Sequence, residues 1–97
     1  MTYVLHEEAE RDLAESMRFY EQQAGPALSG RFPDEFVHAA NLLVEYPDLG
    51  IPLTRGRRIF SLRVFPYALV YRKIDIGIRV LILRHQHRRP GYGGGRI

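Results

Sequence analysis

The stretch HQHRRPGY, His85 to Tyr92, sets two histidines, two arginines and a tyrosine within eight positions, separated only by Arg84 from the apolar run IRVLIL. Those residue types can do two kinds of work. Histidine can take or give a proton near neutral pH, arginines can steady a crowded phosphorane, and tyrosine can stack on a base or pass a proton. That is the equipment for attack of a hydroxyl on an adjacent phosphate, with His85 or His87 as base or acid, Arg63 and Arg88 as charge stabilisers and Tyr92 beside them. The same side chains also make a contact surface, because arginine pairs bidentately with phosphate and carboxylate. His85 and His87, two apart at a strand end, would face one side. No third metal ligand accompanies them and arginines surround them, so neither a metal site nor a cofactor is expected. The cluster suits a polyanion or protein contact surface first and an active site second.

Charge supports the contact reading. Residues 1 to 53 carry three basic and ten acidic side chains, a balance of −7, whereas residues 54 to 97 carry eleven basic side chains against Asp75 alone, a balance of +10. Ten of those eleven cations are arginine. Folded into one domain, the halves predict one acidic and one basic surface, the second attracting phosphates or an acidic peptide. Composition excludes other classes. The chain has no cysteine, hence no disulfide and no thiolate metal site. No apolar run approaches the roughly 20 residues of a membrane span. MTYVLHEEAERD lacks the basic and apolar regions of a signal peptide, so a cytoplasmic, membrane-free location is expected.

The elements that must position the cluster follow from periodicity. TYVLH reads as a first strand. From Glu7 to Gln23, Ala9, Leu13, Met17 and Tyr20 recur on one helical face, with acids crowding the first turns where the helix dipole favours them. AGPALSG breaks that helix. A second is expected from about Arg31 or Phe32 to Tyr46, with Phe32, Phe36, Ala39 or Ala40 and Leu43 inward, and with Pro33 tolerated as a first-turn residue. Beyond Thr54 the period becomes 2. Strands are expected over about 58–64, where Arg63 lies within apolar alternation, over YALVYRK, and over IRVLILRH after an IDIG turn. Phe65, Tyr67 and Tyr71 supply bulk to the sheet. The expected fold is α+β, in the order β-α-α-β-β-β: an N-terminal strand, a helical hairpin and a three-stranded antiparallel meander. One domain should span 1–92, followed by a flexible tail at 93–97. IRVLIL is apolar at five of six positions where one wet face would demand alternation, so its second face lies either under the chain's own loops or open to a partner.

With FYEQQ closing the first helix, then FPYALVYR, ILRHQHRRP and a late tyrosine, the chain resembles the RelE/ParE superfamily of toxins from type II toxin–antitoxin systems, the ParE-like branch more than the RelE-like. The resemblance runs from Tyr3 to Tyr92. It implies a bacterial plasmid-stabilisation toxin, held in a hetero-oligomer by an antitoxin with an acidic amphipathic segment. ParE-like members poison DNA gyrase without performing chemistry; RelE-like members cut messenger RNA on the ribosome without a metal. A third reading is an inactive antitoxin-binding remnant. Ile59, Ser61 and Ala68 stand where RelE-like nucleases often carry basic residues, and Gly93 stands where many relatives place tryptophan. Target contact is expected at Arg63, Arg84, His85, His87, Arg88, Arg89 and Tyr92. Antitoxin contact is expected at Leu13, Met17, Tyr20 and Phe36 on the helices and at Arg72, Leu81 and Leu83 on the sheet.

Overall fold

The computed structural model describes residues 1–86 and 91–97, with side chains at all of these except 24 and 26–29. Strand β1 (Thr2–Leu5) leads into helix α1 (Glu7–Ala24), whose N-terminus is capped by His6: its Nδ1 accepts from the Glu8 N–H at 3.0 Å. Gly25 turns the chain at φ 84°, a left-handed value that glycine adopts freely, and Pro26 opens helix α2 (Pro26–Glu45). Helix α2 therefore begins about one and a half turns earlier than periodicity predicts, and Pro33 sits inside it rather than in its first turn. The cause is the Gly25–Pro26 pair, which ends one helix and starts the next with no loop between.

The sheet has five strands in the order β1-β5-β4-β3-β2. These include the two-residue β2 (Ile51–Pro52), then β3 (Arg57–Ser61), β4 (Tyr67–Ile74) and β5 (Gly77–His85). The expected antiparallel meander is present in β3, β4 and β5. Two pairings extend it. β1 lies parallel to β5, with Tyr3 opposite Ile78, and β2 edges β3. β3 ends at Ser61, so Arg63 stands in the exposed turn before β4 and not inside a strand.

Helices and sheet close one main core. Phe32, Phe36, Ala39, Ala40 and Leu43 of α2 and Ala9 of α1 meet Leu69, Tyr71, Ile78, Val80 and Leu83 of the sheet. Tyr20 stacks on Phe32 at 5.2 Å between centroids, and Phe65 and Tyr67 approach Phe32 edge-on at 4.9 and 5.0 Å. Phe65, Tyr67 and Tyr71 are all buried, as bulk in the sheet requires.

The apolar run IRVLIL owes its pattern to a bulge. Val70 pairs with Ile82 but Tyr71 pairs with Val80, so Leu81 is an extra residue on β5. Alternation shifts there. Ile78, Val80 and Leu83 face the helices, while Leu81 and Ile82 join Val70, Ile59 and Tyr92 in a second cluster on the outer face. What covers that cluster is the chain itself, through residues 91–97. In place of a free tail, these residues are docked on the domain, and Arg96 is only 8% exposed.

Candidate contact site on the outer face of the sheet

β5 is longer than the strand beside it. The Val80 carbonyl accepts from the His6 N–H at 2.8 Å, and past that point β1 has ended. Side chains complete the open edge. The Leu83 N–H donates to Asp12 Oδ2 at 3.2 Å, and Arg96 Nη1 donates to the Leu81 carbonyl at 3.0 Å. Asp12 and Arg96 also pair directly at 2.5 Å, both almost fully buried. Buried charges need both partners and further hydrogen bonds, and this pair has them. Tyr92 Oη donates to Asp12 Oδ1 at 2.5 Å, and Arg96 Nε reaches Glu8 Oε2 at 2.9 Å. The Arg96 guanidinium also lies 4.9 Å from the Tyr92 ring centroid. Burial raises the Tyr92 pKa above the ordinary tyrosine value, and the bond to Asp12 raises it further. Burial opposes the charge on Arg96, yet its interactions with Asp12 and Tyr92 together outweigh that and hold its pKa above the usual arginine value.

Outside this anchor the outer face is cationic. Strand alternation from Ile59, Val70 and Leu83 places Arg57, Arg72, Arg79 and Arg84 on it. A groove of about 700 Å³ runs over the face between Pro52–Leu53 and Tyr92, floored by Val70 and Ile82 and rimmed by Arg55, Arg57 and Arg84. Arg55, at φ 61°, donates to the Gly94 carbonyl at 3.1 Å. At the hairpin side, cations meet helix-half acids instead. Asp48 accepts Lys73 at 2.5 Å and lies 3.4 Å from Arg58, and the Lys73 bond lowers its pKa.

Among the described residues, the expected target contacts do not form one constellation. Arg84 faces the outer groove, whereas the adjacent His85 faces the helices, edge-on to Tyr67 at 5.1 Å, in a small pocket with Asp12, Glu15 and Phe19. Arg63 lines a third recess with Asp34, Glu35 and His38 of α2. Tyr92 is bound to Asp12. His87, Arg88 and Arg89 lie outside the described residues. Of the expected antitoxin contacts, Phe36, Leu81 and Leu83 are buried at 2%, 0% and 2% exposure, so the free chain presents no surface there. The reason is the docked helical hairpin on one side and the docked segment 91–97 on the other. Leu13 and Tyr20 pack half-buried on the core, Met17 is exposed, and Arg72 is held by the Ile97 main-chain oxygen. Periodicity alone did not single out Arg57, Arg79, Asp12 or Arg96. The signal for the arginines lay in cross-strand register, and for Asp12 in a partner 84 positions away.

A strand, a helical hairpin laid on one face of a mostly antiparallel sheet, and an arginine-rich opposite face define a small α+β class. Within it, the chain belongs to the ParE toxin family of type II toxin–antitoxin systems, parDE, whose model matches residues 3–90. It is 32% identical over 87 residues to Toxin ParE2 of Mycobacterium tuberculosis, in strains CDC 1551 and H37Rv alike, covering 89% of this chain and 82% of that toxin. Its fold is similar to a chain solved in the chromosomal ParDE TA system from P. aeruginosa, with a TM-score of 0.76, 22% identity, and coverage of 88% of this chain and 95% of that one. Among the described residues, no helix is long and apolar enough to cross a membrane.

Proposed function

We propose that this ParE-family toxin acts in the bacterial cytoplasm as a DNA gyrase poison, working by contact rather than by catalysis, and that a cognate antitoxin with an acidic amphipathic segment neutralises it. The observation that carries this reading is the dispersal of the candidate nuclease side chains. Among the described members of that set, Arg63 lines a recess against α2, His85 lies in a separate pocket with Glu15 and Phe19, and the Tyr92 hydroxyl is engaged by a buried aspartate. Acid–base catalysis needs its groups within hydrogen-bond reach of one substrate. A contact surface has no such requirement, and the +10 balance of residues 54–97 supplies one suited to polyanionic or acidic partners.

The test is induction in bacteria with two readouts. Gyrase poisoning predicts an SOS response with protein-linked DNA breaks; ribosome-dependent cleavage predicts translation-dependent cuts in transcripts with no breaks. Transcript cleavage abolished by a single His85→Ala or His87→Ala change, with soluble expression and antitoxin pull-down intact, overturns the proposal in favour of the nuclease reading. Harmless expression of the folded chain points to the antitoxin-binding remnant.

A further inference from the structure

Three arginines of the outer face stand in direct cross-strand register: Arg57 opposite Arg72, and Arg72 opposite Arg79. Neighbouring strands lie about 4.8 Å apart, so the row spans roughly 10 Å. Like charges placed opposite one another destabilise a sheet, and such a row persists only where something compensates it. Among the described residues, no carboxylate side chain forms an ion pair with any of the three. Main chain meets two of them instead. Arg72 closes a fork on the Ile97 oxygen through Nε at 3.0 Å and Nη2 at 2.7 Å. Arg57 Nη2 donates to the Gly94 oxygen at 3.0 Å and also to the Arg96 oxygen. The Nε of Arg79 is buried with no acceptor, and no other buried side-chain polar atom among the described residues is left so. Main-chain oxygens of residues 94–97 thus occupy, at Arg57 and Arg72, the positions a ligand's oxyanion would take.

The occupying segment is held by few constraints. It lies flat because Gly93 has no side chain: a Cβ there would stand 2.7 Å from Ile82. Arg96 latches it to Asp12 and Glu8. We propose that Arg57, Arg72 and Arg79 form an oxyanion site for the carboxylates of an acidic polypeptide segment, and that residues 94–97 of the chain itself hold this site until such a segment displaces them. The ligand is a polypeptide because the site already accepts main chain. The adjoining groove supports the same choice, since Val70 and Ile82 floor it between Arg55 and Arg84 and seat apolar side chains beside paired carboxylates. A phosphodiester strand would lay charged groups on that floor. The proposal rests on the antitoxin reading only for which protein carries the segment.

The test uses the purified full chain and a labelled ten-residue peptide alternating glutamate and leucine. Charge-assisted hydrogen bonds predict that Arg72→Gln and Arg79→Gln each weaken binding roughly tenfold or more. Arg79→Gln should also melt higher than the parent, because it removes a like charge and a buried donor without an acceptor; loss of folding therefore cannot account for its weaker binding. In the unsubstituted chain, the Arg96 N–H is bonded to the Gly93 oxygen at 3.1 Å and the His6 N–H to Val80. Adding peptide should speed hydrogen exchange at Arg96 and leave His6 unchanged. Parental affinity in both glutamine variants removes the site. Slower exchange at Arg96 removes the displacement. Tighter binding of a single-stranded decanucleotide than of the peptide overturns the choice of ligand. Failure of antitoxin pull-down with peptide binding intact sinks the toxin–antitoxin pairing alone, and the reverse sinks this site alone.

Discussion

Asp12 accepts hydrogen bonds from Leu83, Tyr92 and Arg96, and so joins helix α1, the edge of β5 and the closing segment. Removing one member of a buried pair leaves the other charge uncompensated, at a cost of about 3–5 kcal/mol. Asp12→Ala is expected to lose stability of that size in urea denaturation. Tyr92→Phe keeps the ring and loses the hydroxyl donor, for about 1–2 kcal/mol. The pH dependence has a definite sign. The Tyr92 pKa is raised in the folded state, so its contribution is complete below the unfolded value near 10 and is lost as pH rises through the folded one. Stability measured from pH 9 to 12 should therefore fall less steeply in Tyr92→Phe than in the parent; equal slopes would refute the assignment. Tyr92 was conspicuous in the sequence as a functional candidate, and its bond to Asp12 was not. Asp12 itself read as one of several acids serving the helix dipole, because nothing in its neighbourhood signals burial.

Among the elements, α2 carries the feature most open to improvement. Pro33 lies inside the helix, where it removes one main-chain donor and crowds the preceding turn. Pro33→Ala should stabilise the fold by about 1–3 kcal/mol in chemical denaturation. A loss of stability would mean that the ring's packing on the core exceeds the helical penalty. The strands β4 and β5 were legible from alternation and from the IDIG turn. Less of the sheet's periphery was. β2 has only two residues, too few for any period, and the parallel docking of β1 on β5 depends on residues some 75 positions apart. The bulge at Leu81 explains why IRVLIL offered two readings. A run with an extra residue presents adjacent apolar side chains to one face, which a strict two-residue period cannot represent. Its coverage by residues 91–97 was hidden by the glycines there, whose composition resembles that of a linker.

At the scale of the whole molecule, the division of charge in the sequence becomes a division of layers. The acidic half forms both helices, the basic half forms most of the sheet, and Asp48 with Lys73 and Arg58 is a seam between them. Encounter with an acidic antitoxin should be steered by the basic layer. Raising ionic strength from about 50 to 500 mM should slow association roughly tenfold or more while changing dissociation much less. Stopped-flow mixing of toxin and antitoxin measures both rates, and a salt effect confined to dissociation would show that steering is absent.

The parallel pairing of Thr2–Leu5 with Gly77–Val80 also sets a timetable for synthesis. β1 leaves the ribosome first but has no hydrogen-bonding partner until β5 follows. At about 5–20 residues per second, that interval lasts several seconds. Throughout it, Phe32, Phe36 and Leu43 of α2 lack the sheet that buries them. The nascent chain cannot assemble its arginine row before translation is nearly finished, because Arg57, Arg72 and Arg79 come together only when β5 docks. A partner already present could therefore meet the toxin before it has ever existed in its free form.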